Sequence, residues 1–127
     1  MSKTYQGVDI VKISRFKKLL TERANLISDI FTEEEISYCS AKKDPAIHYA
    51  GRFAAKEAGL KALGIGLSGI DHTLKEIEIL SRPSGRPVIQ LNGWAKKISR
   101  KKGISQLTVS ISHSADYAVS TVIMTGG

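Results

Sequence analysis

Two carboxylates occupy positions where carboxylates are uncommon. Asp9 interrupts an apolar run between Val8 and Ile10. Residues 5–11 read as a strand, and aspartate is depleted in strands and costly to bury without a partner. Glu57 lies on a helical stripe that otherwise reads Ala46, Ala50, Phe53, Leu60, Gly64, so its side chain is expected to point toward the interior or a cleft. Each has a plain explanation. Asp9 can bond turn amides at a strand end, and Glu57 can pair with Lys61 one turn on, for ~0.2–0.5 kcal/mol. A chemical explanation covers both: a strand carboxylate and a helix carboxylate can converge on one divalent cation. Mg²⁺ takes one or two protein carboxylates, keeps waters and binds substrate phosphates.

Other reactive types are sparse. The histidines are His48, His72 and His113, with no H-x-x-x-H or H-E-x-x-H spacing that would suggest zinc. His48 and His72 read as surface or turn residues; His113 ends a strand and can reach the edge of a site. Cys39 is the single cysteine; it has no histidine context and reads as structural. Lys96, Lys97, Arg100, Lys101 and Lys102 form a dense cationic cluster. It reads as a solvated helix face or a nucleic-acid patch without interleaved aromatics for stacking. Neither a Walker A loop nor G-x-G-x-x-G occurs.

These groups need elements to hold them. Ser14 is a candidate cap for a helix whose apolar positions are Phe16, Leu19, Leu20, Ala24 and Ile27, with Arg15, Lys18 and Glu22 on its other face. Thr32 and Glu35 make a capping box, flanked by Phe31 and Ile36 as a staple, for a short helix ending near Ser40. Asp44 and Pro45 open a long helix that runs to Leu63, with Gly64 as C-cap. Residues 64–73 read as a loop. Strands over 75–80 and 87–91 flank a turn at 82–86. Asn92 caps a basic helix over 94–102. Two alternating strands close the chain, Leu107, Val109 and Ile111 sharing one face of the first and Tyr117, Val119, Thr121 and Ile123 one face of the second. The order β-α-α-α-β-β-α-β-β implies an α+β fold, with a mostly antiparallel sheet packed against helices.

The chain has 127 residues, enough for one domain with one core over 1–127. Hydrophobic residues make up 42%, ordinary for a globular protein and against disorder. Nineteen basic and twelve acidic residues leave a net charge of +7, which suits an acidic partner. No apolar run approaches a membrane span, and the N-terminus lacks a signal-peptide pattern. The expectation is a soluble cytoplasmic protein. Two function classes fit: a metal-assisted enzyme, or a small basic nucleic-acid-binding protein such as a ribosome-associated factor. The second explains the lysine cluster but neither Asp9 nor Glu57.

Three blocks carry a resemblance. Gly7-Val8-Asp9-Ile10 resembles a G-[IV]-D-[IL] motif. Gly51-Arg52-Phe53-Ala54-Ala55-Lys56-Glu57-Ala58, followed by Lys61-Ala62-Leu63-Gly64, resembles an F-A-x-K-E-A motif. Val109-Ser110-Ile111-Ser112-His113-Ser114 resembles an S-[IV]-[ST]-H-[ST] block. In that order they resemble the holo-acyl-carrier-protein synthases, the short class of 4′-phosphopantetheinyl transferases. The likeness spans nearly the whole chain; Gly59 and Ser114 depart from the usual residues without touching an ionisable position. The resemblance implies transfer of the 4′-phosphopantetheine arm of coenzyme A to a serine of apo-acyl carrier protein, with release of 3′,5′-ADP. It implies Mg²⁺ bound by Asp9 and Glu57 and Glu57 as base, directly or through a metal-bound water. It implies Lys61 over the pyrophosphate, Arg52 and His113 on coenzyme A phosphates, and Arg86 and Pro87 beside the adenine. It also implies a homotrimer with sites between subunits, Arg15 and Lys18 docking an acidic carrier helix, and neither nucleic acid nor membrane as partner.

Overall fold

The computed structural model describes residues 2–65 and 71–127. The chain runs β1 (Lys3–Lys12), α1 (Ile13–Glu22), α2 (Leu26–Ile30), α3 (Glu33–Ser40), α4 (Pro45–Leu63), a 3₁₀ turn (Asp71–Glu76), β2 (Ile77–Ser81), β3 (Pro87–Leu91), α5 (Gly93–Lys101), β4 (Ile104–Ser114) and β5 (Tyr117–Gly126). The expected α+β architecture is present, but in two sheets: an antiparallel sheet of order β1-β5-β4, and a separate β2–β3 hairpin.

Helix α4 is the spine of the core. It keeps the predicted ends, with Pro45 in its first turn and Gly64 closing it in the left-handed region at φ 77°. Its small residues Ala50, Ala54, Ala58 and Ala62 are buried, which lets the sheet approach closely. The approach is tightest at Gly7. A Cβ there would fall onto the carbonyl oxygen of Ala58 and lie 2.8 Å from the amide nitrogen of Ala62. Strand β1 therefore crosses the helix backbone to backbone at a glycine.

The sheet has one covered and one open face. Ala118, Val122 and Met124 of β5 are fully buried, and Leu107, Val109 and Ile111 of β4 pack partly buried on the same side. The set predicted to share a face on the last strand lies on the other side. Tyr117 and Ile123 are exposed there, as are Val8 and Ile10 of β1, which pair in register with Thr121 and Val119.

Several local expectations need correction. The first predicted helix is two, because the chain leaves helical geometry at Arg23 (ψ 94°) and re-enters at Leu26. Helix α1 starts at Ile13, so Ser14 is not its cap. Instead Asp116, in the β4–β5 turn, accepts from the Ser14 amide at 2.9 Å through Oδ1, and its main-chain oxygen accepts from the Ile13 amide at 2.7 Å. Asn92 and Asp44 stand at helix N-caps without side-chain cap bonds. For α5, Glu76 takes over by accepting from the Ala95 amide at 3.1 Å. Residues 71–76 wind as a 3₁₀ turn, so the strand predicted from 75 starts at Ile77. Residues 66–70 of the predicted loop lie outside the described residues, as does the side chain of His72, while 71–73, read as loop, belong to the 3₁₀ turn.

Candidate active site

Strand alternation decides where Asp9 points. Val8 and Ile10 face outward, so Asp9 shares the inner side with Gly7. Because Gly7 seats β1 directly on α4, Asp9 two residues on emerges beside that helix. There Lys61 of α4 meets it: Nζ donates to Asp9 Oδ1 at 3.1 Å and to the Val8 carbonyl at 3.0 Å. The Asp9 side chain is 19% exposed and that of Lys61 46%. The pair is thus open to solvent on one side.

Glu57 sits one turn before Lys61. The stripe it belongs to is where α4 is partly open: Phe53 and Glu57 are half-buried, while the neighbouring alanines are closed in. Glu57 and Asp9 line one groove of about 350 Å³, walled by Arg15, Phe16 and Phe53. A second cavity of about 170 Å³ shares Glu57, Phe16 and Phe53, and extends to Leu26, Ile30 and Leu74. Phe16 and Phe53 stack with centroids 4.9 Å apart, fixing α1 against α4. The cap from Asp116 fixes the other end of the same wall.

The donor set fits a hard divalent cation. The two carboxylates are oxygen donors, and among the described residues no three His, Cys, Asp or Glu gather in a cage. Asp9 and Glu57 would hold such an ion by two carboxylates alone, the small number of protein ligands that suits Mg²⁺.

A family model described as the 4′-phosphopantetheinyl transferase superfamily matches residues 6–122. The chain belongs to that superfamily. Relatives and solved structures agree. The holo-[acyl-carrier-protein] synthase of Syntrophus aciditrophicus is 46% identical over 121 residues, covering 94% of each chain. An ACPS–CoA complex from Chronobacterium ammoniagenes has TM-score 0.84 at 30% identity, covering 98% of each chain. A holo-(acyl-carrier-protein) synthase from Bacillus anthracis in complex with CoA (3′,5′-ADP) has TM-score 0.78 at 30% identity, covering 97% of this chain and 96% of that one.

Not every residue expected at a transferase site lies at the groove. Arg15 lines it; Lys18 is exposed and 3.9 Å from Glu22, one turn along. Arg52, His113, Arg86 and Pro87 line neither cavity. Arg52 is buried, lies 3.9 Å over the Tyr38 ring and donates through Nη2 to Ser81 Oγ. Burial pushes the His48 imidazole below its usual value, and the charges of Arg52, Lys42 and His113 push the same way. These four cationic or titratable groups therefore form one neighbourhood. Arg86 ends the β2–β3 turn, exposed. Cys39 is buried, which pushes its thiol up to about 11 and fits its structural reading. The cationic face of α5 (Lys96, Lys97, Arg100, Lys101) is exposed.

One further pair of charges lies inside the core, formed by the capping-box residue Glu35 and a lysine of α4 that no sequence pattern singles out. Lys56 is fully buried, with Nζ 2.7 Å from Glu35 Oε1. Glu35 is the capping-box residue, accepting from the Thr32 amide at 2.8 Å, and its other oxygen accepts from the Ile79 amide at 2.8 Å. Burial pushes the Lys56 ammonium below the usual lysine value, and the Glu35 carboxylate opposes this. The available signal was a lysine between Ala55 and Glu57, in a helix too buried to leave it solvent.

Proposed function

We propose that this single-domain chain transfers the 4′-phosphopantetheine arm of coenzyme A to a serine of apo-acyl carrier protein, releasing 3′,5′-ADP, in the cytoplasm. The observation that carries the reading is the shared groove: carboxylates from the first strand and the central helix face one space, next to a lysine. The relatives' names and the coenzyme A complex point the same way.

Phosphoryl transfer asks for charge neutralisation and in-line positioning rather than covalent help. Mg²⁺, when bound, supplies the positive charge that the pyrophosphate and the leaving 3′,5′-ADP need. Asp9 and Glu57 would hold it. Lys61, on a flexible stem, provides a movable point charge toward the pyrophosphate. Glu57 accepts the serine proton, directly or through a water. Arg15 at the groove, and Lys18 one turn beyond, suit an acidic carrier helix. The test is incubation with apo-acyl carrier protein, coenzyme A and Mg²⁺. The carrier is expected to gain the mass of the arm, and excess EDTA is expected to stop the gain. A carrier of unchanged mass would refute the transferase reading.

The same proposal includes a homotrimer with sites between copies. Two features support it. The outer sheet face leaves Val8 53% and Ile10 63% exposed, an apolar surface of the kind that marks an interface. Arg52, His113, Arg86 and Pro87 lie away from the groove of their own chain, so a neighbouring copy is the means of bringing them to coenzyme A. In sedimentation the wild type is expected to run as three chains, and Ile10→Glu as one.

A further inference from the structure

Lys56 carries three ammonium donors, and the fold supplies three acceptors inside the core. Nζ lies 2.7 Å from Glu35 Oε1, and donates to the carbonyls of Leu74 at 2.8 Å and Ile77 at 2.9 Å. The partners belong to α3, to the 3₁₀ turn and to β2. One side chain of α4 therefore ties three other elements to the helix that bears Glu57. The knot is closed at its other end too, since Glu35 is held by the amides of Thr32 and Ile79. A buried ion pair of this kind rarely outdoes well-packed apolar residues in stability. Its distinctive contribution is direction: two carbonyls and a carboxylate must meet one nitrogen. Leu74, whose carbonyl is so held, also lines the cavity that contains Glu57.

We propose that Lys56 is a positioning residue: by clamping Leu74 and Ile77 to α4 through two of its three bonds, it sets the wall of the second cavity, which shares Glu57 with the groove, against that carboxylate. This rests on the transferase reading for its activity readout, but the clamp has a readout of its own. Without the ammonium, the Leu74–Ile79 stretch loses its tie to α4. The cavity wall then drifts relative to Glu57, and a misplacement near 1 Å costs about 10²-fold in rate. The role assigned to Lys56 is to hold this wall, with no contact to coenzyme A, so KM for coenzyme A should hold.

The test compares Lys56→Met with Met124→Ala, a core truncation on β5 that loosens packing without touching the clamp. Lys56→Met is expected to lower kcat about 10²-fold, leave KM for coenzyme A within about threefold, and speed amide exchange at least tenfold over residues 74–79. Met124→Ala is expected to melt earlier with kcat unchanged. If Lys56→Met fails to fold, Glu35→Gln serves in its place. It keeps an amide oxygen but loses the charge, and a kcat loss of about tenfold is expected. A folded Lys56→Met, or failing that Glu35→Gln, with wild-type kcat would overturn the proposal, as would a kcat loss without faster exchange. An active Glu57→Gln, by contrast, would sink the assignment of the base and leave the exchange result standing.

Discussion

Glu57→Gln is expected to lower kcat by about 10³-fold, within the range that removal of a general acid–base group gives. Its melting temperature should stay near that of the wild type. Glutamine keeps the size and the hydrogen-bonding oxygen but cannot carry the negative charge that draws a cation or accepts a proton. Glu57 is half-buried at the wall of a groove, so the neutral side chain meets no packing penalty. Asp9→Asn should lose activity in the same way, with a second signature. Lys61, 3.1 Å from Asp9 in the native chain, loses its counter-charge, so the salt dependence of KM for coenzyme A should change as well. Steady-state kinetics with a mass-detected carrier, beside a thermal melt, decides the matter. Full activity in Glu57→Gln would rule out the carboxylate pair as the reacting centre.

Gly7→Val is expected to prevent stable folding, at a cost above about 4 kcal/mol against a typical total of 5–15 kcal/mol. The reason is steric and local. The new Cβ would overlap the Ala58 carbonyl oxygen and crowd the Ala62 amide, and both belong to the main chain of the core helix. Neither can swing aside as a side-chain tip would. Gly7→Ala carries the same Cβ and should be destabilised nearly as much, since the clash does not await the valine methyls. Urea denaturation followed by far-ultraviolet circular dichroism measures both. A wild-type midpoint for either would show that β1 does not cross α4 at this residue.

How much of this was readable in the residues varies with the range of the interaction. The capping box at Thr32 and Glu35, the start of α4 at Pro45 and its end at Gly64 were legible, because each is decided within one turn of chain. Asp9 and Glu57 were legible as anomalies, each breaking the pattern of its own element. Their convergence was one of two explanations open to the residues and was implied by the family resemblance; neither element's own pattern contains it, because it depends on Gly7 bringing a strand onto a helix far along the sequence. The start of α1 was misread for a similar reason: its cap, Asp116, arrives from the opposite end of the chain. Glu35 was seen as a cap and is also half of a buried ion pair, since local pattern cannot show a second, distant partner. The alternation in β5 marked two faces correctly but could not say which was covered. Tyr117, Val119, Thr121 and Ile123 look as suited to a core as Ala118, Ser120, Val122 and Met124. The small residues won because α4 lies so close.

The alternation around Asp9 links two properties usually kept apart. Val8 and Ile10 project from the sheet's bare side while the residue between them projects into the groove. Whatever seats on that side braces the very segment of strand that presents the carboxylate. In the proposed homotrimer, mass action ties stability to protomer concentration. On dilution, thermal resistance and turnover should fade together, because both draw on the same ten residues of chain.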